Sequence, residues 1–337
     1  MLYVVIFFFL VSIYIYCLLG GADFGAGIIE LGEKKQYKKR TRNLVSEAMA
    51  PIWEANHMWL VIAVVVLFNA FPVVYTQLLV SLSIPLILML IGIILRGTAF
   101  TFRHYDAIKD SSQEMYSKVF EYSSLIVPFF FGLVVGSIIS GKITTNPSSF
   151  YDGYIYPWLN LFSISIGIFV ASLFSFIASV FLTSEISDKS ILADFILKSK
   201  RSIIAAVASG FLVFISSLIE QEHFFESFFG NYLSIGFMLI ATGCLPVLWK
   251  TLEKGLKWPS RFLVGAQLFF ILGAFYVVFF PVLVKLKNGS ELTFFNSAAP
   301  QTTLSYLGWA LIVGSLIIFP ALFYLLKIFK TVQKETT

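Results

Sequence analysis

Charge is scarce in this sequence: 13% of its 337 residues are Asp, Glu, Lys or Arg, while 58% are hydrophobic. A soluble globule of this length needs far more polar surface, so the composition excludes one. Cysteine is scarcer still, with Cys17 and Cys244 the only two, both within apolar runs. They exclude a disulfide framework and a multi-cysteine metal site, and they read as packing residues. Of the three histidines, His104 sits in a basic stretch and His223 in the acidic "EQEHFFES", which leaves His57 alone in an apolar run. One imidazole cannot supply a bis-histidine haem, and no intramembrane methionine beside it offers a second ligand. No strand precedes the glycine-rich "GGADFGAG", which excludes a nucleotide-binding loop. The opening "MLYVV" lacks the basic flank of a cleaved signal, so the first apolar run is expected to stay in the mature protein.

What the chain does have is apolar blocks of about 20 residues, the length of a membrane-crossing helix. Gly, Pro and aromatics run through these blocks without the alternation of barrel strands, which predicts an all-α polytopic bundle forming one integral-membrane domain over residues 1–337. Nine spans are expected: Leu2 to Ile29, Met49 to Phe71, Val74 to Phe100, Val119 to Ser140, Tyr156 to Leu182, Ser202 to Ile219, Asn231 to Trp249, Phe262 to Val284 and Leu304 to Ile328. The sixth and seventh are the shortest. With these spans, 20 of the 24 basic residues fall in loops on one side. Lys34 to Arg42 form the densest group there, and the opposite loops hold only Lys142, Lys285 and Lys287. Basic loops stay cytoplasmic, so the N-terminus is expected outside and the C-terminus inside. The net charge of +5 follows from loops that face anionic lipid, and no nucleic-acid partner is needed to explain it.

A charge at the bilayer centre costs on the order of 2.5–3.5 kcal/mol on insertion scales, which makes every intramembrane ionisable group a candidate. Asp23, Glu54, His57 and Arg96 come from three consecutive spans and all fall in the half nearer the basic loops. Glu47, Glu54 and His57 stand at i, i+7 and i+10, close to one helical face, with Trp53, Asn56 and Trp59 around them. Two readings remain open: a proton-conducting cluster, or carboxylates that pair with Arg96 to fix helix register. Glu47, near the interface, suits a snorkelling side chain. Gly21, Gly25 and Gly27 around Asp23 would let a neighbouring helix approach the backbone closely. Pro128, Pro246, Pro281 and Pro320 fall within or at the ends of spans, where they can kink helices.

"GGADFGAG", "MAPIWEANHMWLV", "FNAFPVVY", "ILRGTAFTFR" and "LTFFNSAAPQTTLSYLGW" occur in the order of the corresponding segments in subunit II of the cytochrome bd quinol oxidases. The chain resembles that family along nearly its whole length. The resemblance implies a two-subunit core in a bacterial plasma membrane that oxidises quinol and reduces dioxygen to water. It implies haem b and haem d held by subunit I, with no catalytic residue, haem ligand or metal site on this chain. This chain would then support haem insertion and supply part of a proton or oxygen route. Small accessory subunits and a structurally held quinone or lipid are compatible with it. Where many family members have aspartate, this chain has Glu54, one methylene longer; the region of Glu121 aligns less clearly and ranks below Asp23, Glu54 and Arg96. The alternative from another class is a secondary transporter with its polar site among spans one to three.

Overall fold

The computed structural model describes residues 1–49, 53–105, 112–186, 188–220 and 223–335. The first span, Leu2–Leu31, is α1 (Leu2–Ile15), a π-helical turn (Tyr16–Gly20) and α2 (Gly21–Leu31) in line. Then follow α3 (Lys35–Met49), α4 (Trp53–Ala70), α5 (Pro72–Ser81), α6 (Ser83–Tyr105) and α7 (Ser112–Ile139). The short α8 (Phe150–Tyr154) precedes α9 (Leu161–Thr183), α10 (Lys189–Ile219), α11 (Phe224–Phe229), α12 (Tyr232–Glu253) and α13 (Lys257–Phe279). The strands β1 (Val282–Lys285) and β2 (Glu291–Thr293) lead into α14 (Gln301–Glu335). Among the described residues, eight helices are long and apolar enough to cross a membrane, and α4 with α5 makes nine if that bent pair counts as one span.

The expected third span, Val74 to Phe100, is instead two helices. Phe71 has φ −134° and ψ 60°, outside the helical region that a following proline disfavours, and Pro72 opens α5 as its first residue. The axes of α4 and α5 differ by 114°. A second break at Leu82, with φ −113° and ψ 22°, starts α6. At 1.5 Å per residue, α5 is about 15 Å long, too short to cross alone. The sixth and seventh spans, the shortest by hydropathy, are 31- and 22-residue helices capped by Asp188 and Asn231. The basic stretch after the first span, expected as a loop, is the helix α3. The eighth span ends at Phe279, just before Pro281, and β1 and β2 then form an antiparallel hairpin whose turn places Gly289 at φ +81°. Leu286 of that turn bridges Ile143. The bundle is therefore all-α apart from this hairpin.

Small residues draw α2, α7 and α9 together. A Cβ on Gly25 would lie 2.0 Å from the Phe174 carbonyl oxygen, and one on Gly27 would lie 2.2 Å from Ser124 Oγ. No side chain fits there, so the α2 backbone rests directly on its neighbours. Phe174 and Ile177 of α9 then pack with Phe24 and Tyr16 in the central core. That contact fixes the depth of Asp23.

A ladder of buried ion pairs at the basic end

Two turns from the end of α2, Asp23 meets Arg96 of α6. Arg96 Nη1 donates to Asp23 Oδ2 at 2.7 Å, and Nη2 donates to Oδ1 at 2.8 Å and to the Asp23 carbonyl at 2.9 Å. Its Nε donates to Ser124 Oγ at 2.9 Å, and that hydroxyl in turn donates a hydrogen bond to Phe120 O. The rings of Phe24 and Phe120 lie 4.6 and 4.7 Å from the guanidinium carbon. Asp23 is 0% and Arg96 1% exposed. Both carboxylate oxygens are thus held by a planar fork, the geometry in which an arginine–carboxylate pair is strongest.

Seven residues further along both helices the arrangement repeats. Arg103 Nη1 donates to Glu30 Oε1 and Oε2 at 2.9 and 3.0 Å, and Arg42 Nε of α3 adds a bond to Oε1 at 3.1 Å. Arg103 also lies over the Phe120 ring, 4.2 Å from its centroid. From α7, Glu121 receives Lys38 Nζ at 2.6 Å on Oε2. At the rim, Glu33 accepts from Thr41 Oγ1 and Lys198, while Asp194 of α10 pairs with Arg40 and Lys198. Burial works to raise the Glu33 pKa, but the bonds from Lys198 and Thr41 outweigh it and hold the carboxyl below the ordinary range. Lys38, Arg40 and Arg42 had been read as topology signals; each is also the counter-ion of a carboxylate on another helix.

The sequence of the subunit II family, described as "Cytochrome bd terminal oxidase subunit II", matches residues 1–329 of this chain. The chain belongs to that family. It is 24% identical over 301 residues to the cytochrome bd ubiquinol oxidase subunit 2 of Bacillus subtilis, covering 87% of this chain and 85% of the relative. A shorter match, 25% identical over 154 residues, joins it to the cytochrome bd-I ubiquinol oxidase subunit 2 of Escherichia coli strain K12, covering 44% of this chain and 39% of that one. Its fold is similar to a chain of the bd oxidase from Geobacillus thermodenitrificans, with a TM-score of 0.76, 17% identity and coverage of 97% and 98%. This subunit II is therefore a multi-pass bacterial membrane protein, part of a quinol-oxidising oxidoreductase complex that carries haem and includes a subunit I. The transporter alternative is left without support.

Of the residues expected in a polar cluster, the structure joins Asp23 to Arg96 directly. The His57 ring stands edge-on to Phe24 at 5.8 Å and is half-buried, while Asn56 and Trp59 are buried. The side chains of Trp53 and Glu54 lie outside the described residues. Glu47 belongs to α3 and is exposed, and the residues between α3 and the α4 helix of His57 lie outside the described residues. Glu30, Arg103, Arg42 and Lys38 had not been singled out. A signal for two of them was present, because Asp23 and Glu30 are seven apart, and so are Arg96 and Arg103.

Among the described residues no three His, Cys, Asp or Glu side chains converge as a metal site. His57 is packed against Phe24, and a cavity of about 150 Å³, lined by Ser140, His223, Phe279 and Lys285, lies at the other end of the bundle. No step is assigned to haem on this chain.

Proposed function

We propose that this subunit stands beside a haem-bearing subunit I as its membrane scaffold and as part of the proton inlet for dioxygen reduction. The observation that carries this reading is the fully buried Asp23–Arg96 pair, continued by Glu30–Arg103 toward the basic end. Apolar packing alone needs no charges at that depth, and reducing one dioxygen to two waters consumes four protons. Asp23, with both oxygens held, anchors the polar interior. Glu54 and His57, one span away, are the groups that pass protons along it. In this reading haem b and haem d sit on subunit I, the N-terminus is outside, and the basic end faces the cytoplasm where protons enter. The chain acts as a single membrane domain, its quinol is oxidised on the partner, and bound lipid fills its exposed apolar faces.

The test is a reduced-minus-oxidised visible spectrum of the complex purified through a tag on this chain, with the subunits identified by mass spectrometry. Haem b and d bands with a second large subunit are expected. Glu54→Gln should then leave those bands in place and slow oxygen consumption. A stable, haem-free preparation of this chain alone would overturn the reading.

A further inference from the structure

One carboxylate in the ladder is held on one side only. Glu121 is nearly as buried as Asp23, with 2% of its side chain exposed. Its Oε2 receives Lys38, but its Oε1 has no hydrogen-bond partner among the described residues, and Arg42 Nη2 stands 3.9 Å from it. Every other buried acid of the ladder is saturated: Asp23 by Arg96, and Glu30 by Arg103 and Arg42. A buried carboxylate oxygen without a donor is costly when ionised and is well suited to carrying a proton.

Glu121 also lies on a polar track. Ser117, Glu121 and Ser124 stand at i, i+4 and i+7 on α7, all buried, so they share one face of that helix. The track begins beside Lys38, whose side chain is 27% exposed and marks the edge reached by water. It ends at Ser124, which accepts from Arg96 Nε. The charged groups that face Glu121 are Lys38 and Arg42 from α3 and Glu30 from α2, with Arg103 of α6 behind Glu30 and Arg96 beyond Ser124. Lys38 donates to Oε2, so a proton on Oε1 does not compete with that hydrogen bond for the same oxygen.

We propose that Glu121 is the proton-loading carboxylate of this subunit, taking a proton from the aqueous phase at the basic end onto Oε1 and releasing it inward along α7. Each passage forms and breaks one O–H bond and oxidises nothing. The proposal rests on the proton-inlet reading above and assigns its first station.

The experiment uses the purified two-subunit complex, with its haem spectrum as the check on assembly. Oxygen consumption is measured against pH for the wild type, Glu121→Gln and Glu121→Asp. With haem bands unchanged, Glu121→Gln is expected to lose at least about tenfold in turnover, the low side of what a positioned proton carrier contributes. The loss should deepen toward alkaline pH, where protons are scarce, and Glu121→Asp should restore most of it. Wild-type turnover at every pH in an intact Glu121→Gln complex overturns the proposal. In parallel, the wild-type complex is treated with dicyclohexylcarbodiimide, which adds across a carboxylic O–H to give a stable N-acylurea. Modification of the Glu121 peptide in step with lost turnover, with Asp23 and Glu30 spared, is expected. No modification there, or modification without loss, overturns it even where the glutamine variant does not assemble. A Glu54→Gln complex that slows while Glu121→Gln does not would remove this assignment and leave the inlet reading standing.

Discussion

Replacing Arg96 by Met tests whether the Asp23 pair is a lock. The substitution removes four hydrogen bonds, three to Asp23 and one to Ser124, and leaves the Asp23 carboxylate buried with no cation. Breaking one partner of a buried pair typically costs about 3–5 kcal/mol, because the remaining charge stays desolvated. Removing both charges is different: an apolar pair of similar volume is often neutral or stabilising. The expected result is a non-additive cycle, in which Arg96→Met and Asp23→Leu each lower stability by about 3–5 kcal/mol and the double variant recovers most of the loss. The assay is thermal unfolding of the detergent-solubilised complex, followed by haem absorbance and by size-exclusion profile. If the double variant is as unstable as the sum of the singles, the two residues do not act on each other, and the lock is refuted.

Gly25→Ala should be as damaging as a much larger change elsewhere, since its Cβ would meet the Phe174 carbonyl at 2.0 Å and backbone cannot rotate aside; we expect a loss of about 1–3 kcal/mol or failure to assemble, read as the yield of haem-bearing complex. Glu33 carries the pH prediction. Its folded pKa lies below the ordinary value, so its contribution is present above the unfolded glutamate pKa of about 4.3 and is lost as pH falls through the folded pKa. The melting temperatures of wild type and Glu33→Gln should therefore differ at neutral pH and converge in acid; a gap that persists at low pH would refute the assignment to this carboxylate.

Much of the bundle can be read from hydropathy, because a lipid-facing helix needs an unbroken apolar run of fixed length and basic loops mark alternate ends. The depth of Asp23 and Arg96 was equally legible, and so was their pairing as one of two open readings. The boundary at Phe71–Pro72 was legible, with one expected span ending at Phe71 and the next starting at Val74, but the break at Leu82 was not, because the apolar run continues through it and a window that averages hydropathy passes over it. The partners that α3 and α10 supply to Glu30, Glu33 and Glu121 could not be read at all. They depend on α3 lying back across α2, α7 and α10, and nothing in "KQYKKRTRN" tells a solvated lysine from one that reaches 83 residues away to Glu121.

The spacing of the two salt bridges has a further consequence. Acid on α2 and base on α6 are both spaced by seven residues, so a slip of two turns, about 10.5 Å, would still bring one acid onto one base while stranding the other two charges. Shape forbids both versions of that error. Sliding α2 until Glu30 meets Arg96 would put Lys34 where Gly27 lies against Ser124. Sliding it the other way, until Asp23 meets Arg103, would put Leu18 where Gly25 lies against Phe174. The ion pairs work like the teeth of a short rack, which can still catch one pitch out, and the two glycines are the pins that let only the true pitch close.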